Sequence, residues 1–277
     1  TKVLKKAIST NKALANLNGV ARIIPNSAIL INSLVLQEAK DSSAIENIIT
    51  THDELYRANL DIESVTNEAK EVQNYKEALL RGFALVKDTK LLLKKHIVEI
   101  QAVLEQNDAG IRKQAGTNLK NSLTGEVIYT PPQDYETIQE LLTNLENYIN
   151  EPNDIDPLVN MAIIHHQFES IHPFYDGNGR ISRLYLDYLL QKMDLEGYGL
   201  WNLSRGLARN VDDYKKALSI ADEPYKGGYD DGRGNLSLKA LKEFLNFMLE
   251  VALDQIKFMS SVIRIDLIAS RITNYVG

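Results

Sequence analysis

With 277 residues, 44% of them hydrophobic and 25% charged, the chain has the composition of an ordinary globular protein and enough surface to bury one large domain or two modest ones. A formal charge of -6 offers no broad basic face to phosphates, which argues against a wholesale nucleic-acid binder. The lack of cysteine excludes disulfides and thiolate metal sites, and apolar runs such as Ile29-Leu30-Ile31 and Leu91-Leu92-Leu93 are far too short to span a bilayer.

No charged-then-apolar signal segment opens the chain, so a cytoplasmic protein without a membrane partner is expected. The first local signal is Ser42-Ser43-Ala44-Ile45-Glu46-Asn47, whose Ser43-x-x-Glu46 reads as a capping box with Glu46 satisfying a backbone N–H at a helix start. From Asn67 to Val86, Ala69, Val72, Tyr75 and Leu79 recur at helical spacing, one apolar stripe of an amphipathic helix. Ile97, Ile100 and Leu104 repeat the pattern, as do Ile138, Leu141, Leu142 and Leu145. Between these two, Gly116 to Pro132 interrupts it. Ser122-Leu123-Thr124-Gly125 is a turn signal, Glu126-Val127-Ile128-Tyr129-Thr130 is a short β-prone run, and Pro131-Pro132 stops it. A small hairpin inside a helical protein is expected.

Leu158 to Phe168 and Ile181 to Leu190 predict two further helices. On the first, His165 is expected to be a hydrogen-bonded core histidine; Trp201 is expected to pack. Asn210 and Tyr214, four apart on a predicted helix, share a face. Tyr225 to Asn235, rich in Gly and Asp, predicts a surface loop without calcium-loop spacing. Leu238 to Val262 predicts a last long helix carrying Leu241, Leu245, Met248, Ala252 and Ile256. The fold class is therefore all-α with one small β-hairpin.

The chemistry concentrates between the two central helices, in His172-Pro173-Phe174-Tyr175-Asp176-Gly177-Asn178-Gly179-Arg180 and the following Ile181-Ser182-Arg183. Gly177 and Gly179 can take backbone angles closed to other residues, so successive N–H groups can turn inward as an anion site. The next helix begins here and points its positive end at the same spot. Arg180 and Arg183 lie one helical turn apart and can reach one side, where guanidinium forks suit phosphate oxygens. Asp176 adds a hard oxygen ligand suited to a Mg²⁺ that also binds phosphates, and His172 can move a proton near neutral pH.

This stretch resembles the signature of the Fic family, His-x-Phe-x-Asp/Glu-Gly-Asn-Gly-Arg-x-x-Arg, at every fixed position. The resemblance extends to His165-His166-Gln167-Phe168-Glu169-Ser170-Ile171, Glu71-Val72-Gln73-Asn74-Tyr75, Ala109-Gly110-Ile111-Arg112 and Arg209-Asn210 with Tyr214. It implies a helical extension over residues 1–64, a Fic-type helical core over 65–220 with the hairpin as its flap, and a C-terminal loop and helices over 221–277 packing on that core. It also implies a protein adenylyltransferase that moves AMP from ATP to a Ser, Thr or Tyr hydroxyl.

Residue by residue, the resemblance makes His172 the base and Asp176 the Mg²⁺ ligand. Gly177, Asn178 and Gly179 would cradle the phosphates, Arg180 and Arg183 would neutralise them, and Asn210 and Tyr214 would meet the adenosine. The paired tyrosines common in the family are replaced by Tyr214-Lys215. Phe174 is expected to be a buried anchor. Relatives that phosphorylate carry Lys where this chain has Gly179, which favours AMP transfer. Val127, Ile128, Tyr129 and Thr130 would form the flap edge on which a target protein docks. Ser42, Glu46 and Asn47 match the family's inhibitory motif, Ser/Thr-x-x-x-Glu-Gly/Asn. There Glu46 would pair with Arg183 and hold ATP in an unproductive pose, an alternative to its role as a helix cap.

Self-modification and a homodimer are further expectations from the resemblance. An AMP-removing hydrolase at the same site, and a regulatory module that binds nucleotide without transfer, are the competing functions. Residues 240–277 are too few for the winged helix that many relatives carry, so a DNA-binding regulator is not expected.

Overall fold

The computed structural model describes residues 2–21, 27–59, 65–120, 124–193, 201–224, 226 and 231–263. The chain begins with α1 (Lys2–Ala21), α2 (Ser27–Ile45) and the short α3 (His52–Asn59). Next come α4 (Asn67–Thr89), α5 (Lys94–Glu105) and a hairpin of β1 (Leu119–Lys120) and β2 (Val127–Tyr129). α6 (Tyr135–Asn150), α7 (Pro157–Ile171) and α8 (Asn178–Lys192) lead to α9 (Ser204–Ala208), α10 (Val211–Ala221) and α11 (Leu238–Val262). The fold is all-α with one two-stranded antiparallel sheet among the described residues.

The centre is set by α7 and α8, which pack together and bury residues on all sides. α7 starts on the side chain of Asp156, which accepts from Leu158 N (3.0 Å) and Val159 N (3.4 Å), with Pro157 at the first position, where its missing N–H costs nothing. α8 is buried from Arg180 through Leu190. α4 lies against α8, and Gly82 permits that approach: a Cβ there would stand 2.1 Å from the ring of Tyr188. α2 crosses α4, α8 and α9, while α11 packs on α7 and α10 and takes α1 along its flank. A single apolar cluster runs through these layers from Ala7 to Ile263.

The stripe predicted from Asn67 does form a helix, one turn longer than its last apolar residue and closed by Lys90 in the left-handed region (φ 55°). Leu238–Val262 is helical over the predicted span, with the Ser237 side chain accepting from Ala240 N and Asp231 accepting from Leu238 N at 2.8 Å. Asp231 thus joins its loop to the start of α11. Residues 225 and 227–230 of that loop, and 121–123 at the hairpin tip, lie outside the described residues. Among the described residues no helix is long and apolar enough to cross a membrane.

Candidate active site

The loop between α7 and α8 is built by its own side chains. His172 ends α7 in the left-handed region (φ 48°), its N–H still donating to Phe168 O at 3.0 Å. Phe174 is buried, as expected of an anchor, with its ring 6.3 Å from that of Phe168. The Asn178 amide closes around Phe174: its Oδ1 accepts from Phe174 N and its Nδ2 donates to Phe174 O, both at 2.9 Å. Asn178 was expected in a phosphate cradle, but its side chain builds the loop, and what it can offer an anion is its backbone N–H. Gly177 has φ 79° and caps α8, and a Cβ there would meet Glu105 Oε1 at 2.2 Å. The positive φ calls for glycine, whatever room the Glu105 side chain leaves.

The two arginines diverge instead of reaching one side. Arg180 donates from Nη1 to Glu71 Oε2 (2.9 Å) and from Nη2 to Glu105 Oε1 (2.7 Å). Burial pushes the Glu105 carboxyl up, and Asp176 and Glu71 add to this against the pull of Arg180. The sequence reading missed both glutamates as site residues. Glu71 stood in a stretch that carried the resemblance, whereas nothing local marked Glu105.

Arg183 is buried and meets α2 instead. Its Nε donates to Ser42 Oγ (2.8 Å), and its Nη2 donates to Ser42 O (3.1 Å) and Glu46 Oε1 (2.7 Å). Burial works against the Glu46 carboxylate, but the Arg183 guanidinium outweighs it and leaves the carboxyl below its ordinary range. Burial likewise opposes the Arg183 charge, and Glu46 more than restores it.

This placement overturns the capping-box reading of Ser43-x-x-Glu46. α2 ends at Ile45, the chain leaves it through Asn47 at φ 64°, and Ile48 N donates back to Ser43 O at 3.1 Å. Glu46 therefore follows a helix end, and its carboxylate reaches a guanidinium 137 residues away. Gly179 leaves room for it: a Cβ there would lie 2.3 Å from Glu46 Oε1.

Two cavities, each of about 410 Å³, meet at Glu46, His172 and Gly179. The loop cavity is completed by Glu71, Asp176, Gly177, Asn178 and Arg180, and the flap cavity by Arg183, Tyr214, Lys215, His166, Ile128 and Tyr129 among others. His172 lines both. Burial lowers its pKa, while Glu169 pulls the other way. The protein thus places the His172 imidazole and the Glu46 carboxylate together at the junction of the two cavities.

The flap pairs Leu119 with Tyr129 and Lys120 with Val127. The Tyr129 hydroxyl donates to Ser170 O (2.9 Å), tying the flap to α7, and Thr130 Oγ1 donates to Asn118 Oδ1 (2.8 Å). Val127 and Ile128 are exposed, at 48% and 55%.

Tyr214 is buried, its hydroxyl 2.8 Å from His165 Nε2, while His165 Nδ1 lies 3.2 Å from Ser182 O. Burial pushes His165 down to about 3, so it is a neutral core histidine as expected. Asn210 does not share a helical face with Tyr214. It precedes α10 with φ -138°, its Nδ2 donates to Gly206 O (3.3 Å), and it lines neither cavity.

Asp176 lines the loop cavity and accepts from Gly177 N through Oδ1 (2.7 Å). No group of three metal-ligating side chains occurs among the described residues. One carboxylate beside an anion site fits a Mg²⁺ that takes its remaining ligands from phosphate and water.

Residues 4–84 match the Fic/DOC family N-terminal model, and residues 91–190 match the Fic/DOC family model. A Fido domain-containing protein of Dictyostelium discoideum is 32% identical over 106 residues, 38% of this chain and 70% of that protein. The chain belongs to the Fic family. A probable protein adenylyltransferase of Aquifex aeolicus is 35% identical to this Fic protein over 95 residues, 34% of this chain and 27% of the relative. The chain thus spans about a quarter of that relative's length. A crystal structure of a Fic domain containing signaling protein from Bacteroides thetaiotaomicron shares the fold, with a TM-score of 0.73 at 19% identity over 92% of this chain and 96% of that one.

Proposed function

We propose that this Fic protein is an ATP-dependent protein adenylyltransferase held inactive by Glu46. The observation that carries the reading is the position of His172 at the meeting of two cavities, one lined by the first residues of α8 and the other by Tyr214 and the flap. Relatives named protein adenylyltransferase support the same reaction class.

A target hydroxyl, presented along the flap edge, would give its proton to the His172 imidazole as its oxygen attacks the α-phosphorus of ATP. The new P–O bond forms as the bond to the bridging oxygen breaks, and pyrophosphate leaves. The first N–H groups of α8 face the charge that develops, in a site that needs little reorganisation. Asp176 would hold the Mg²⁺ that accompanies the nucleotide, which supplies charge neutralisation on the phosphates. Tyr214 would floor the nucleoside side. Arg180, already engaged by two carboxylates, would act through loop order more than through direct phosphate contact, leaving Arg183 as the cation for the terminal phosphates.

Glu46 and a terminal phosphate would compete for the same position against the Arg183 guanidinium, so that Glu46 must give way for a phosphate to take it. Glu46→Gly is expected to raise transfer of AMP about 10- to 100-fold, the factor that corresponds to the roughly 1.5–3 kcal/mol of a hydrogen bond to a charged group. His172→Ala in that background is expected to abolish it. Intact-mass analysis with ATP and Mg²⁺, alone and in host lysate, reads both. Nucleotide binding without an AMP adduct on any protein, even in Glu46→Gly, would refute the transferase reading. Equal adduct in parent and Glu46→Gly would remove the inhibitor.

A further inference from the structure

Arg112 is fully buried, and among the described residues it has no carboxylate within ion-pair distance. A buried cation is costly unless its surroundings supply negative potential. Here that potential comes from backbone carbonyls. Arg112 Nε donates to His172 O (2.8 Å), and Nη2 reaches Ile171 O (3.5 Å) and Pro132 O. The first two lie at the C-terminal end of α7, where carbonyls lack helical partners and the helix dipole is negative. The third belongs to the stem of the flap, just after β2.

The backbone around Arg112 repeats the connection. Ile111 bridges to Phe174, Arg112 N donates to Pro173 O (2.9 Å), and Lys113 N donates to the Tyr175 hydroxyl (2.9 Å). One segment therefore grips the whole of 171–175 while holding the flap.

We infer that Arg112 is the positioning residue for His172: a single buried cation joins the end of α7, the flap stem and segment 111–113 into one frame that fixes the base at the cavity junction. A non-glycine residue in the left-handed region costs about 1–2 kcal/mol, and it persists only where the surroundings over-determine it. At His172 the guanidinium bond to its own carbonyl is such a determinant. The inference rests on the transferase reading for the reaction that it serves.

The guanidinium also acts through space. Its charge opposes protonation of the nearby imidazole, in the same direction as burial, while Glu169 on α7 and Glu46 after α2 favour protonation. Asp176, Arg183 and Lys215 face the same cavities. A base works only in its neutral form, so activity rises with pH through the imidazole midpoint. Removing the Arg112 charge must move that midpoint, and the acidic limb of the rate profile, to higher pH. A brace with no bearing on chemistry would change the melting temperature alone.

The test compares Arg112→Lys and Arg112→Gln in the Glu46→Gly background, reading kcat, KM for ATP, the pH profile of kcat/KM, the His172 midpoint by NMR, and folded fraction. Arg112→Lys keeps the charge but cannot span three carbonyls. It is expected to lose about 100-fold in kcat with KM within about twofold, the scale of a misplaced catalytic group, while the midpoint stays at the parental value. Arg112→Gln is expected to show the same fall with a raised midpoint. Parental kcat in Arg112→Lys, a loss confined to KM, or a midpoint in Arg112→Gln no higher than the parent's would overturn the inference. Should Arg112→Gln not fold, the Lys variant decides it. Absence of transfer by the Glu46→Gly parent would refute the transferase reading instead, and the midpoint, measured without turnover, would still tell what Arg112 does to His172.

Discussion

Arg183 has three acceptors in the segment that ends α2, and only the Ser42 hydroxyl can be removed without touching the carboxylate. Ser42→Ala leaves Nε without its partner, while Ser42 O and Glu46 remain. The inhibitory contact should weaken without breaking. Self-labelling with radioactive ATP is expected to rise about 3- to 10-fold over the parent, below the level of Glu46→Gly, because a hydrogen bond to a charged group carries roughly 1.5–3 kcal/mol and part of it is recovered at the remaining acceptors. No change would mean that the hydroxyl only fills space. The motif itself was legible because its base, metal ligand, glycines and arginines fall within one loop and one helical turn. The partners of those arginines were not, since Glu71 and Glu105 lie 109 and 75 residues from Arg180. Residues three apart on a helix point about 60° from each other, so their neighbours decide whether they converge.

At the level of elements, α2 shows why local pattern misleads. Among its described side chains Val35, Leu36, Glu38, Ala39, Ser42, Ser43 and Ile45 are buried, three of them polar, so counting apolar residues blunts the signal. That left Ser43-x-x-Glu46 looking like a helix start. The turn that ends α2 depends on Asn47 at φ 64°, a conformation that asparagine and glycine tolerate and β-branched residues do not. Asn47→Gly should therefore leave self-labelling at the parental level. Asn47→Val should cost about 1–2 kcal/mol and fray the last turn, moving Glu46 off Arg183. Its melting temperature should fall by about 2–8 °C and its self-labelling should rise. A valine variant that is less stable yet equally silent would separate the turn from the inhibition. The hairpin, by contrast, was readable from its β-prone run, while α10 was started one residue too early: Asn210 is its N-cap, a position that asparagine favours, and the helix begins only at Val211.

Across the whole molecule the first and last described helices pack together, α1 on α11, and Thr10 Oγ1 reaches Leu249 O 239 residues on (3.3 Å). No spacing rule sees such a contact. The same holds for Glu38, buried where α2, α4 and α9 come together. Its Oε1 accepts from the Tyr75 hydroxyl (3.1 Å) and from Ser204 Oγ, while Oε2 has no partner. Burial pushes this carboxyl up to about 7 from an ordinary 4.5, with Asp41 adding to the rise and the two hydroxyls and Arg183 opposing it. The consequence is global. Below pH 4.5 the group is protonated in folded and unfolded chains alike. Between 4.5 and about 7 the unfolded chain ionises first, so stability falls as pH rises, by at most about 3 kcal/mol in all. Glu38→Gln keeps the shape and the accepting oxygen but cannot ionise, and any cost of its amide is independent of pH. The melting temperature of Glu38→Gln relative to the parent should therefore climb by up to about 5–10 °C between pH 5 and pH 8, measured by calorimetry at constant ionic strength. A flat difference across that range would show that Glu38 is ionised in the folded protein at every pH tested, with Arg183 rather than burial governing its charge.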